Sequence, residues 1–273
     1  MNLFSKENNK GSWMRVTSWT TIVYIVFIGL PIFALLARAL RSQQLIDNLF
    51  SDLTFQALRL SFITSSISII AIILFATPTA YYLSRRNGKI KRVIEILVDL
   101  PIVLPPVVAG VAMLMAFGRN GLLSEIFGNT DYSVSFTTFA VILAQIFVAA
   151  PFYTKSASAG FAQVPKELED ISETLGVTPI KTFFKITLPI ASPTILGGLA
   201  LSWARALSEF GATLMFAGNF IGKTQTMPLA ILSAMESDFD AAIALSIVLL
   251  IASTMILVIL TILGQRSQSR EVR

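Results

Sequence analysis

The sequence predicts an all-α integral membrane protein with six transmembrane helices, and three observations carry that prediction. Of 273 residues, 54% are hydrophobic and only 14% are charged, against roughly 25% charged in soluble domains, and the mean hydropathy is +0.73. Long apolar runs recur at residues 16–40, 55–84, 93–118, 134–160, 190–217 and 239–264, each near or above the roughly 20 residues that a helix needs to cross the hydrocarbon layer. Between the fourth and fifth runs lies one polar stretch, residues 164–189, dense in helix punctuation. His and Cys are both absent, which excludes thiolate and imidazole catalysis, disulfides and the usual zinc or copper sites. The net charge of +5 reports orientation in such a chain and implies no nucleic acid.

Residues 1–15 are polar and basic (Lys6, Lys10, Arg15) and read as a short mobile cytoplasmic tail. The first apolar run is too long, and lacks the small-residue cleavage site, for a secretory signal peptide. Trp13 and Trp19 flank it, and Pro31 would kink it, which neighbouring helices tolerate in a bundle. A polar loop at 41–54 leads to the second span, which holds Arg59, Pro78 and many hydroxyl residues suited to close helix packing in lipid. A basic loop follows (Arg85, Arg86, Lys89, Lys91, Arg92), and then a third span interrupted by Pro101, Pro105 and Pro106, with Glu95 and Asp99 in its first turns. Loops are expected at 121–133 and 218–238, and a short basic tail at 265–273. The organisation is therefore a tail and first span (1–53), a core of five spans (54–264) and a C-terminal tail.

Basic residues fix the expected orientation. Lys6, Lys10, Arg15, Arg85, Arg86, Lys89, Lys91, Arg92, Lys155, Lys166, Lys181, Lys185, Arg266, Arg270 and Arg273 share the side of both termini, against Arg38, Arg41, Arg119 and Lys223 on the other. Positive charge is retained inside, so both termini and residues 164–189 are expected in the cytoplasm.

In that segment Pro165 suits a first helical turn, and Glu167, Glu169 and Asp170 complement the positive helix end. Leu168, Ile171 and Leu175 recur at helical spacing, and Gly176 supplies a stop. Thr178 caps a second short helix that begins at Pro179 and carries Phe183 and Phe184, and Pro189 and Pro193 are expected to end it. Two short helices joined at a glycine between spans offer a surface to a partner protein, and an ordinary interfacial loop would share the pattern.

Within the fifth span, Arg205 and Glu209 stand four residues apart, on one face of a continuous helix. Both are costly against lipid and should look into the bundle or a wet cavity. Two readings stand: a pathway or gate pair, with Phe210 and Thr213 beside it, or a pair that locks helices together. Pro105 and Pro106, with Gly110, break the third span, either to line a path, as broken helices in transporters do, or to kink it for packing. Phe117, Phe210 and Phe216 could form an apolar gate. No GxxxxGK[ST] phosphate loop occurs, and Gly222-Lys223-Thr224 matches only its tail without the preceding strand, so ATP is not expected on this chain.

The stretch DISETLGVTPIKTFFKITLP (170–189) resembles the cytoplasmic coupling loop of ABC-importer permeases, whose pattern runs Glu-Ala-Ala, three residues, Gly, then Leu-Pro. Gly176, Leu188 and Pro189 match it, whereas Asp170, Ile171 and Ser172 replace Glu-Ala-Ala. DLPIVLPPVVAGVAMLMAFGRNGLL (99–123), ARALSEFGATLMFAGN (204–219) and TQTMPLAIL (224–232) resemble oxyanion-importer permeases, and FGATLMFAGN is similar to the molybdate/tungstate branch. The resemblance covers about residues 54–264 and implies a type I ABC importer permease fold. It further implies a homodimer on two cytoplasmic ATPase subunits, with an extracytoplasmic binding protein delivering the anion and ATP and Mg held by the ATPases, in the plasma membrane of a bacterium or archaeon. On this resemblance the coupling residues are Glu169, Asp170, Glu173, Leu175, Gly176, Thr178, Pro179, Phe183 and Pro189. A sulfate or thiosulfate permease, an ion-coupled secondary transporter and a membrane-embedded enzyme are the alternatives, and the last finds no plausible catalytic set.

Overall fold

The computed structural model describes the backbone of residues 4–126 and 134–271, and the side chains of residues 17–126 and 134–264. All regular elements among the described residues are helical. Six stretches are long and apolar enough to cross a membrane: Thr17–Ala39, Leu45–Arg85, Pro106–Ile126, Thr138–Gln163, Pro179–Leu207 and Phe239–Gly264.

Helix α1 (Phe4–Ala39) is already helical through most of the stretch expected as a mobile tail. A short α2 (Leu45–Leu49) breaks the polar loop before α3 (Asp52–Arg85). The Ser51 hydroxyl accepts from the Thr54 N–H at 3.3 Å and so caps α3. Past Gly88, whose φ of +120° suits glycine alone, α4 (Lys89–Val103) and α5 (Pro106–Phe117) divide what was expected as one third span. The reason is local. Pro105 and Pro106 have no N–H to continue the ladder, and the residue before each is extended, with ψ of 129° at Leu104 and 137° at Pro105. No residue of α4 is buried. The third crossing therefore belongs to Pro106–Ile126, which includes α6 (Leu122–Ile126), rather than to 93–118. Of the loop expected at 121–133, residues 127–133 lie outside the described ones.

At the centre stands α7 (Thr138–Gln163), capped by the Thr137 hydroxyl, which accepts from the Ala140 N–H at 3.2 Å. It packs against α3 through small residues, and its Gln145 is satisfied by α3 hydroxyls. Ser68 Oγ donates to Gln145 Oε1 at 2.9 Å, and Gln145 Nε2 donates to Thr64 Oγ1 at 3.2 Å. Close backbones joined by buried hydroxyls are how helices associate where lipid is as apolar as leucine. Next come α8 (Lys166–Thr174) and α9 (Pro179–Thr182). From α9 the helix continues unbroken through a π-turn at Phe183–Thr187 into α10 (Leu188–Leu207), so Pro189 does not end it as expected. The wider turn relieves the collision between the Pro189 ring and the carbonyl one turn back. Ile69, Ile72, Tyr153, Phe161, Ala191 and Ile195 form the main core where α3, α7 and α10 meet.

The fifth span is itself divided: α10 ends at Leu207 and α11 (Gly211–Ala217) follows. Where a loop was expected at 218–238, α12 (Met227–Ser237) folds back, with Pro228 in its first turn. Its Met227, Ala230 and Ala234 are buried in a cluster with Ala57, Ala242 and Leu245. Asp238 then caps α13 (Phe239–Glu271), accepting from the N–H groups of Asp240 and Ala241 at 3.0 and 3.1 Å. Helix α13 runs on through residues 265–271, which were expected as a tail.

Candidate functional site

The polar segment between the fourth and fifth spans is braced from inside. Glu169, on α8, has a side chain only 12% exposed. Its Oε1 accepts from Arg85 Nη2 at 2.6 Å and from Thr187 Oγ1 at 2.7 Å, and its Oε2 from the Tyr81 hydroxyl at 3.4 Å. Arg85 Nη1 also donates to the Val164 carbonyl at 3.2 Å. One carboxylate thus joins α3, α8 and the π-turn. Ser172 and Thr182 exchange a hydroxyl hydrogen bond at 2.9 Å that closes α8 onto α9. Phe183 packs edge-on against Tyr81 at 5.3 Å and tilted against Phe161 at 5.6 Å.

This arrangement sorts the nine residues assigned to the segment. Glu169 and Phe183 turn inward, whereas Asp170, Glu173, Leu175, Gly176, Thr178, Pro179 and Pro189 are exposed. Gly176 has φ +80° and open space where a Cβ would stand, so the backbone, not crowding, requires glycine there. Thr178 holds the N-cap position of α9 but its side chain makes no cap hydrogen bond. On the outer face Ile171 is 57% and Leu175 77% exposed. Sequence reasoning missed Arg85 and Tyr81 as bracing partners. Arg85 entered only as an orientation charge, and nothing in the spacing links it to Glu169.

A second site forms where the two divided spans meet. The break between α4 and α5 falls at Leu104–Pro105, and that between α10 and α11 at Ser208–Phe210. A Cβ on Gly211 would stand 2.6 Å from Pro106 Cβ. One on Gly110 would stand 2.7 Å from Met215 Cβ and 2.9 Å from the Ala212 carbonyl oxygen. The glycines therefore let α5 and α11 approach backbone to backbone. Arg205 lies in the last turn of α10, and Glu209 lies beyond the helix end. The pair bridges the break instead of sharing one continuous helical face as the sequence led us to expect.

Glu209 is fully buried. Its Oε1 accepts from the Ala212 N–H at 2.8 Å, and its Oε2 lies 2.6 Å from Arg205 Nη2. Alignment at Oε2 is too poor for a hydrogen bond, so that contact is chiefly a charge pair. Arg205 is 27% exposed and borders a cavity of about 100 Å³ with Pro101, Leu104, Pro106 and Phe152. Thr213 is buried, and its hydroxyl has no hydrogen-bond partner among the described residues. Phe117 and Phe216 pack at 6.1 Å, while Phe210 is 37% exposed and pairs with neither ring among the described residues. The three phenylalanines do not form one cluster. Gly222-Lys223-Thr224 forms a turn in which Thr224 Oγ1 accepts from the Phe220 N–H at 2.9 Å.

Six spans around a three-helix core, two of them divided, with a braced polar segment before the fifth, define a multi-pass membrane permease. A chain of a crystallised bacterial ABC transporter, described as involved in the import of the acidic polysaccharide alginate, shares this fold with a TM-score of 0.74 at 16% identity, covering 96% of this chain and 98% of that one. The protein belongs to the family of binding-protein-dependent transport system inner membrane components, whose pattern matches residues 72–270. It is 38% identical over 237 residues to the molybdenum transport system permease protein ModB of Mycobacterium tuberculosis (86% of this chain, 89% of the relative). To the molybdate/tungstate transport system permease protein WtpB of Pyrococcus abyssi it is 37% identical over 194 residues (71% and 73%). To the probable sulfate transport system permease protein cysT of a Helicosporidium species it is 31% identical over 242 residues (88% and 90%). This membership sets aside the secondary transporter and the membrane-embedded enzyme. The chain is a membrane subunit of an ABC importer.

Proposed function

We propose that this chain is the permease of an ATP-driven importer of a tetrahedral oxyanion, molybdate or tungstate. Two copies form the pathway, two separate cytoplasmic ATPase subunits hold ATP and Mg, and an extracytoplasmic binding protein delivers the anion. The importer works in the plasma membrane of a bacterium or archaeon, with both termini and residues 164–189 on the cytoplasmic side. Higher identity to molybdate and tungstate relatives than to the sulfate relative supports the choice of anion.

The observation that carries the coupling role is the two-faced build of the segment. Its inner face is tied to the spans by Glu169, while Ile171 and Leu175 stand exposed among Asp170 and Glu173. Exposed apolar residues with an acidic rim, on the side of the membrane where charge counting puts ATP, suit a complementary groove on an ATPase. ATP-driven closure of that partner would push the segment and rock the spans it is braced to.

The test is uptake by the complete transporter in proteoliposomes. ATP-dependent accumulation of molybdate, competed by tungstate more strongly than by sulfate, is the expected result. Gly176→Trp should insert normally yet lose co-purification with the ATPase or its coupled uptake. Preferential sulfate transport would overturn the substrate, and full uptake by a properly inserted Gly176→Trp protein would overturn the coupling role.

A further inference from the structure

We propose that Arg205 is the membrane-embedded contact for the transported oxyanion, and that Glu209 is a positioning residue that holds the arginine and weakens its grip on the anion. This deepens the oxyanion-permease reading and rests on it. The pair sits where the two divided spans abut, a place the fold has opened without giving the cavity beside it any other charged lining residue. The walls there are Pro101, Ile102, Leu104, Pro106 and Phe152, so the guanidinium is the group with an anion-binding surface. Its fork of five donors matches two oxygens of a tetrahedral oxyanion. Among the described residues, its recorded partner is Glu209, through Nη2 alone.

The two members of the pair are unequally held. Glu209 is fully buried and is held independently of Arg205 by the Ala212 N–H, which donates to Oε1 at 2.8 Å. Arg205 is 27% exposed, on the last turn of a helix, and lines the cavity. The carboxylate is thus the fixed half and the arginine the half that can be shared. An unopposed arginine in apolar surroundings would bind a dianion and keep it, because charge pairs are strong where water is scarce. A fixed carboxylate 2.6 Å away offsets part of that attraction, and a path conducts only if the site releases what it binds. A pair serving only to lock helices together has no need of a cavity beside it. Here one is sealed and its partner opens to a cavity.

The experiment uses the complete transporter in proteoliposomes for uptake, and the same complex without binding protein for equilibrium binding of radioactive molybdate. Glu209→Gln should bind molybdate at least tenfold tighter than wild type while its maximal uptake falls at least fivefold. Arg205→Met combined with Glu209→Gln removes both charges together, so it assembles even where the single variants fold poorly. It should lose both the binding signal and at least nine-tenths of uptake. The natural chain has no cysteine, so Arg205→Cys introduces a single thiol. A cationic aminoethyl methanethiosulfonate should restore part of its uptake, and the neutral methyl reagent should not. Wild-type uptake by the double variant, weaker or unchanged molybdate binding in Glu209→Gln, or equal rescue by the neutral reagent would each overturn the proposal. A wild-type complex that imports none of molybdate, tungstate and sulfate would instead refute the oxyanion reading, and this inference with it.

Discussion

Glu169→Gln tests the bracing of the polar segment with a change of shape too small to matter sterically. The carboxylate accepts at 2.6 Å from Arg85 and at 2.7 Å from Thr187, and hydrogen bonds to charged groups contribute about 1.5–3 kcal/mol each. Both ion-pair side chains are only 13% and 12% exposed, so neutralising one strands the other, which costs about 3–5 kcal/mol in a buried pair. Proximity to bulk water screens part of this, and about 3 kcal/mol is the working figure. At about 1.4 kcal/mol per factor of ten, the population with α8 lifted from α3 should rise roughly a hundredfold. Val164 reports it: the residue is 1% exposed and its carbonyl accepts from Arg85. In the otherwise cysteine-free chain, the thiol of Val164→Cys should react with a soluble maleimide about a hundred times faster once Glu169→Gln is added, because reaction there requires local opening. Arg85→Met should give a similar acceleration, and combining it with Glu169→Gln should slow the reaction again. A rate unchanged within twofold by Glu169→Gln would mean that the network does not hold the segment down.

Gly211→Ala and Gly110→Ala should each weaken the contact of α5 with α11, since the new methyl meets proline or backbone atoms inside 3 Å. The expected cost is about 1–3 kcal/mol, read as a lower unfolding temperature in detergent, whereas Gly197→Ala, which meets nothing within 4 Å, should leave that temperature unchanged. For topology, thiols replacing Ser51, Ser124 and Ser237 should react with an impermeant reagent applied outside intact cells, and one replacing Leu175 should not. Leu175 serves better than Ser172, which is buried and bonded to Thr182; labelling of Leu175→Cys from outside would reverse the orientation.

The spans and the two short helices of the polar segment were legible because each depends on local pattern: apolar length, a proline at a first turn, a glycine at a stop. What the sequence concealed were outcomes of tertiary competition. Pro189 reads as a terminator, yet the helix runs through it because the wider π-turn absorbs the ring. Arg205 and Glu209 have the spacing of neighbours on one helix, and nothing local announces that α10 stops at Leu207 between them. Their proximity was right, and its cause was different. The prolines of the third span marked its break, but not that α4 would bury nothing and leave the crossing to α5 and α6. Helix α12 carried its own signal in Met227-Pro228-Leu229, obscured by the Gly218 and Gly222 turns ahead of it. The bracing of Glu169 by Arg85, 84 positions away in sequence, could not be read from either residue's surroundings.

The unbroken passage from α9 through the π-turn into α10 would give the proposed coupling a crank of fixed phase. From Pro179 to Leu207 runs one rod of 29 residues, about 43 Å at the α-helical rise of 1.5 Å per residue. One end lies in the polar segment and the other stops two residues short of Glu209. On the proposed coupling role, a push on α9 would pass along one continuous helix to the arginine. The wide turn also sets the angle at which that arginine arrives. A regular α-helix through 183–187 with no residue removed would turn everything beyond it by about 100°, the angle between successive residues in an α-helix. Arg205 would then swing away from its cavity, with the rod itself intact.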